Sequence, residues 1–287
     1  MGIAPYVAEA IIREHKFKPI RGDVLLLGRQ TMLFSPDEAI AMLRRLGVEP
    51  APLTEPIIDR RTLASQGKAC IRDDAFFRLL GVSTISALDH TDYEGAEIIH
   101  DLNQPLPERL EGVADFILDG STLDNLFAPS VALQSMARML KPGGRLIAIN
   151  MGSAHYVPYT IFTPYWFLDY FAINEFSDAK IYTTFHYRHG MHVIVADPSA
   201  PIGNTSPSST VTGIIAFAEK GDRSTSDRLP DQRHYASEAT LDAYQRAAGI
   251  FSQSGRPDLL IPTKPRGRPL WRRLASAALR LVRRLAK

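Results

Sequence analysis

The stretch MLKPGGRLIAIN, Met139 to Asn150, decides the fold class. Before it, Val131, Leu133, Met136, Ala137 and Leu140 recur at helical spacing. After it, Leu146, Ile147, Ala148 and Ile149 run without a polar break, as in a strand buried on both faces. Pro142, Gly143 and Gly144 stop the helix and turn the chain back onto a sheet. Such a helix-to-strand joint belongs to an α/β domain.

Working outward, the same grammar recurs. DVLLLG, residues 23–28, reads as a buried strand ending in glycine. SPDEAIAMLRRLG follows, with Ser35 as N-cap, Pro36 in the first turn, early acids and Gly47 at the far end. An amphipathic helix is expected at 5–16, and another from Asp73 to Leu80. STISALD, AEIIHD and ADFILDG read as strands before the joint. TPYWFLDYFAINEF then reads as a helix, and AKIYTTFHY and TGIIAFAEK as two later strands. A further helix is expected from Ser237 to Ala248. This order predicts a Rossmann-like, doubly wound α/β fold, a mostly parallel seven-stranded sheet with helices on both faces, followed by a C-terminal amphipathic helix. The expected divisions are an N-terminal helical segment at 1–21, the sheet domain at 22–220 with an insertion near 48–80, a polar extension at 221–263 and a basic tail at 264–287.

Composition narrows the classes. Cys70 is the only cysteine, so no disulfide can close within the chain. No apolar run is long enough to span a bilayer, and charges interrupt the N-terminal apolar segment, so neither a spanning helix nor a secretion signal is expected. The net charge of +2 conceals a segregation. All 31 acids and 24 of the 33 basic residues lie in 1–263, a net of −7 there. An acidic body is unlike a nucleic-acid-binding domain, and no nucleic acid partner is expected.

In doubly wound sheets the ligand lies beyond the carboxyl ends of the strands. Polar residues mark each of those ends: Gly28-Arg29-Gln30 after the first strand, Asp89 after the second, Asp101 after the third, Asp119 after the fourth and Asn150 after the fifth. A carboxylate at the second position can hold a ribose diol, and one at the third can accept from an adenine amine. HYRHGMH spaces three histidines, but strand parity sends His186 and His189 to opposite faces and no acid or cysteine joins them, so no metal is expected.

LKPGGRLI, preceded by ADFILDGSTLDNLF and by HDLNQPLP, resembles the core of class I S-adenosylmethionine-dependent methyltransferases. The likeness covers about residues 22–220 and implies a seven-stranded sheet with a reversed hairpin at its edge. It implies S-adenosylmethionine as cofactor, held by Gly28, Gln30, Asp89, Asp101, Leu102 and Asp119. Catalytic assistance is expected from His155, Asp124 and Tyr156. The chain departs from the family at the first strand, where acid-x-Gly-x-Gly-x-Gly is replaced by Leu26, Gly28, Gln30 and Met32. It also has Asn125 where a related bacterial subgroup has histidine. The implied activity is methyl transfer to a small-molecule or a glycan- or lipid-linked acceptor. The rival reading is a catalytically silent binding or scaffold protein at the membrane surface.

The tail supports a surface location. In PLWRRLASAALRLVRRLAK, Trp271, Leu274, Leu281 and Leu285 fall on one helical face and the arginines on the other. That is the pattern of an interfacial helix, and residues 266–287 are expected to meet an anionic membrane or a partner; the alternative readings are a helix docked on the domain's own sheet and a solvated tail. The expected location is cytoplasmic, peripheral on the inner face of the membrane.

Overall fold

The computed structural model describes residues 2–54, 57–153, 158–187, 190–197 and 211–262. Ten strands and six helices follow in chain order among these residues: β1 (Gly2–Ile3), α1 (Pro5–Phe17), β2 (Asp23–Leu27), β3 (Thr31–Met32), α2 (Pro36–Arg45), α3 (Asp73–Leu79), β4 (Thr84–Asp89), β5 (Ile98–Ile99), β6 (Ala114–Gly120), α4 (Pro129–Met139), β7 (Leu140–Met151), α5 (Pro164–Ile173), β8 (Asp178–Tyr187), β9 (Gly190–Val195), β10 (Val211–Glu219) and α6 (Glu238–Gln253).

Eight strands form one sheet in the order β5-β4-β2-β6-β7-β10-β8-β9. β5, β4, β2, β6 and β7 are parallel. β10 is inserted between β7 and β8 and runs antiparallel to both. The fold is the expected Rossmann-like, doubly wound one. β2 shows why its sequence is apolar throughout. Leu25 and Leu27 enter a core with α4, α5 and α6, while Val24 and Leu26 enter a second core with α1, α2 and α3. Successive side chains of a strand face opposite ways, so a strand covered on both sides cannot alternate with polar residues.

The strand count is eight, not seven. The extra strand is β9, which returns from β8 as an antiparallel edge, with His186 opposite Met191 and Phe185 opposite His192. AEIIHD yields only the two-residue β5. The residues after β2 do not turn straight into a helix: β3 pairs in parallel with β1, apart from the main sheet.

The joint at Met139–Asn150 works as its residues dictate. α4 ends at Met139 and β7 begins at the next residue. Gly143 takes φ +76, a conformation glycine adopts without strain. Lys220 donates to the carbonyls of Ala137 and Leu140, capping the orphan acceptors at the end of α4. Ser35 and Glu38 form a reciprocal capping box on α2.

The amino ends of β7 and β8 are tied to both flanks of the chain by a buried ionic cluster. Glu14 of α1 pairs with Arg145 of β7 at 2.5 Å and with Arg256, which also pairs with Asp178 of β8. Beyond Arg256, the Leu259 amide donates to the Tyr182 hydroxyl at 3.0 Å.

Candidate functional site

The carboxyl ends of β2, β4 and β6 converge on Gly28. Its φ is +71, and a Cβ there would stand 3.3 Å from Asp89 Oδ2 and 3.9 Å from Thr122 Oγ1. Its amide donates to the Leu88 carbonyl at 2.7 Å, and the Thr122 hydroxyl donates to the Leu27 carbonyl at 2.7 Å. The chain is thus pinched where the sheet order reverses around β2. A side chain at Gly28 would be strained by its φ and would crowd the Asp89 carboxylate.

The following residues are locked from the insertion. The Gln30 amide donates to Asp73 Oδ2 at 2.9 Å. Burial pushes the Asp73 carboxyl up, against the pull of Arg61 and Arg29. Arg29 is buried, donates to the Gly95 carbonyl and pairs with Glu97. Thr31 donates to Thr62, and Thr62 in turn to Asp59. Sequence reasoning missed Asp73 as a support of this loop, because contact between residues 30 and 73 leaves no local trace.

Gln30 is buried, with Nε2 donating to the Leu27 carbonyl at 2.8 Å and the Gly28 carbonyl at 3.2 Å. Its Oε1 is buried without a partner among the described residues. A Cβ on Gly120 would lie 1.8 Å from that oxygen. The side chain therefore wedges between the loop after β2 and the end of β6, and Gly120 is the residue small enough to admit it.

The expected carboxylates separate into two groups. Asp89 and Asp101 are accessible. Asp89 Oδ1 accepts from the His90 amide at 2.6 Å and from His90 Nδ1 at 2.8 Å. Asp101 Oδ1 accepts from the amide and side chain of Asn103, both at 2.9 Å, and these bonds hold its carboxyl below the ordinary range. Leu102 has its side chain in the core, so only its backbone faces outward.

Asp119 and Asp124 are both 0% exposed. Asp119 accepts from Thr122 N and Asn150 Nδ2, each at 2.7 Å. Burial pushes its carboxyl up to about 7, and the Asp124 charge adds to the rise. Asp124 accepts from Ser121 Oγ at 2.6 Å, Met151 N at 2.8 Å and Asn125 Nδ2 at 3.0 Å. Asn150 Oδ1 accepts from the Asp124 amide, so Asn150 bridges the two acids. Both carboxylates lie beneath the strand ends and bind the loop after β6 to β7. Ser121 carries φ +75, unusual for a residue with a side chain, and its hydroxyl is held by Asp124. His155 and Tyr156 lie outside the described residues, as does His189.

Beside these ends is a cavity of about 470 Å³. Its floor includes Gly120, Ser121, Ile149, Asn150 and Met151, and its far wall His186, Thr212 and Gly213. Residues Gly2 to Val7 close it from the other side through Ile3, Tyr6 and Val7. Tyr6 and His186, 180 positions apart, face one another there at 3.3 Å, a meeting that no local pattern foretells.

No family model and no curated protein matches the chain. Solved structures similar to it include methyltransferases. One is the 1,6-didemethyltoxoflavin-N1-methyltransferase of Burkholderia thailandensis, with bound 1,6-didemethyltoxoflavin and S-adenosylhomocysteine, at 14% identity and TM-score 0.36, covering 75% of this chain and 77% of that one. Another is a possible histamine N-methyltransferase from Thermotoga maritima, at 16% identity and TM-score 0.36, covering 75% and 89%. A third is the N-methyltransferase NodS of Bradyrhizobium japonicum, at 14% identity and TM-score 0.33, covering 75% and 94%.

Proposed function

We propose that the chain transfers a methyl group from S-adenosylmethionine to a small-molecule acceptor. The observation that carries this is the crevice at Gly28, pinched between Asp89 and Thr122 where the order of parallel strands reverses. Open α/β sheets bind their ligands at that point. Asp89 keeps Oδ1 on His90 and turns Oδ2 toward Gly28, where it would accept from ribose hydroxyls. Asp101 would accept from the adenine amine, with the Leu102 backbone beside it. Gln30 narrows the cleft, its side chain wedged against Gly120. Asp119 and Asp124 set the shape of the loop rather than touch the ligand. When bound, the cofactor supplies a methyl group on a cationic sulfur. The remaining work is alignment and, for a hydroxyl acceptor, removal of a proton. Substitution of His155 and of Tyr156 tests the base roles expected of them.

Calorimetric titration of the full chain with S-adenosylmethionine and with its demethylated product tests the reading. Asp89→Ala should weaken binding by about 1–3 kcal/mol through a lost charge-assisted hydrogen bond. Folded protein that takes up neither ligand at millimolar concentration refutes methyl transfer.

The finer reading is an acceptor linked to lipid or glycan, met at an anionic membrane through residues 266–287. Support for it comes from the charge segregation of the sequence, nine basic residues and no acid from Lys264 onward.

A further inference from the structure

We infer that the cavity beside the strand ends receives a neutral, largely apolar molecule oriented by a hydrogen bond to His186. The name acceptor for that molecule rests on the methyl-transfer reading; its chemistry does not.

The lining decides the chemistry. None of the sixteen described residues around the cavity is Asp, Glu, Lys or Arg. Ile3, Val7, Leu33, Ile149, Val211 and Ile215 supply apolar walls. The two titratable side chains are neutral near pH 7. Burial holds the His186 imidazole below its ordinary range and pushes the Tyr6 phenol up to about 12. A charged ligand drawn into such a space would lose its hydration and gain no ionic partner among the described lining residues. S-adenosylmethionine carries a sulfonium, an ammonium and a carboxylate, so this cavity does not suit the cofactor. A second, uncharged molecule fits it, and a volume of about 470 Å³ lies within the range of small-molecule pockets.

His186 fixes the orientation. Its Nε2 lies 3.3 Å from the Tyr6 hydroxyl and 3.1 Å from Thr184 Oγ1, and its ring packs on Tyr6 with centroids 5.2 Å apart. That holds the imidazole in one rotamer. Nδ1 has no partner among the described residues, which leaves one ring nitrogen for a hydroxyl or N–H on the occupant. The cavity adjoins the loop that carries Gly28 at Gly120, which lines it on one side and takes the Gln30 side chain on the other.

The test uses the full chain without cofactor and three bicyclic probes: 2-naphthol, naphthalene and 6-hydroxy-2-naphthoate. Binding is followed by calorimetry at pH 7.5. The naphthol should bind at least tenfold more tightly than the carboxylate and at least threefold more tightly than naphthalene. His186→Phe should abolish the preference for naphthol over naphthalene, and His186→Gln should retain part of it. Thermal melting of each variant checks the fold. Should both variants fail to fold, the ratio of naphthol to carboxylate in the unaltered protein still decides. The inference is overturned if the carboxylate binds as well as the naphthol, if the naphthol does not bind up to its solubility limit, or if folded His186→Phe keeps the full preference. Titration of the same sample with S-adenosylmethionine separates the two readings. Naphthol binding without cofactor binding removes methyl transfer and leaves the cavity assignment standing. The reverse result removes the cavity assignment alone.

Discussion

Asp119→Asn should change how stability depends on pH. The carboxyl is fully buried and titrates at about 7 in the folded chain, against 3.8 for an unperturbed aspartate. Between those values the folded state holds a proton that the unfolded state has released. Stability from this group is therefore fully present below pH 3.8 and is lost as pH rises through 7. From pH 6 to pH 8 the unfolded state gains two units of deprotonation free energy and the folded state about one. The net loss is about 1.4 kcal/mol, and from pH 5 to pH 8 about 2.6 kcal/mol. The amide that replaces the carboxyl does not titrate. Its contact with Asn150 Nδ2 carries a cost, but that cost is the same at every pH and cancels in the comparison. Urea unfolding of both proteins at pH 5, 6, 7 and 8 gives the difference directly. The gap between them should close by about 1.4 kcal/mol between pH 6 and 8, in favour of the variant. Parallel pH profiles would refute the assignment of a raised pKa to Asp119.

Arg256→Met should cost about 3–5 kcal/mol, because it leaves the buried carboxylate of Asp178 without its cation while Glu14 keeps Arg145; adding Asp178→Asn should restore part of the loss in urea unfolding. Gly120→Ala should cost about 1–3 kcal/mol by forcing Gln30 aside, and Gln30→Gly should suppress that cost in a double-mutant cycle. Independent losses that simply add would mean that the two residues do not meet. Deleting residues 264–287 should release the protein from anionic vesicles at low salt in co-sedimentation; equal binding by the truncated chain removes the tether.

The legible parts of the fold were those written in neighbouring residues. Ser35 was readable as the N-cap of α2 with acids in its first turn, and one of those acids, Glu38, closes the capping box. Val24 to Leu27 and Leu146 to Ile149 announced strands covered on both faces, because a run without polar breaks has no face to offer to water. β9 was missed: it is a short edge strand after a histidine-rich stretch of sequence, where alternation is weak and solvent accepts polar side chains. The strand-end acids were legible as a set but not in their orientation. Asp89 and Asp101 face outward, while Asp119 is turned inward by Asn150, a partner 31 residues away. The wedge of Gln30 against Gly120 and the pairing of Tyr6 with His186 are products of tertiary packing. No periodicity records such contacts.

The buried cluster at Glu14 also sets an order of events in synthesis. Glu14 leaves the ribosome well before its partners. Arg145 follows 131 residues later, and Arg256 242 residues later. At about 5–20 residues per second, the second interval is roughly 12–50 s. Arg145 gives the Glu14 carboxylate its first cation, and until Arg256 follows that pairing stands alone. The arrival of Arg256 joins Glu14 to Asp178 and brings Leu259 onto Tyr182. A late-made segment of the core thus completes the packing of an early one.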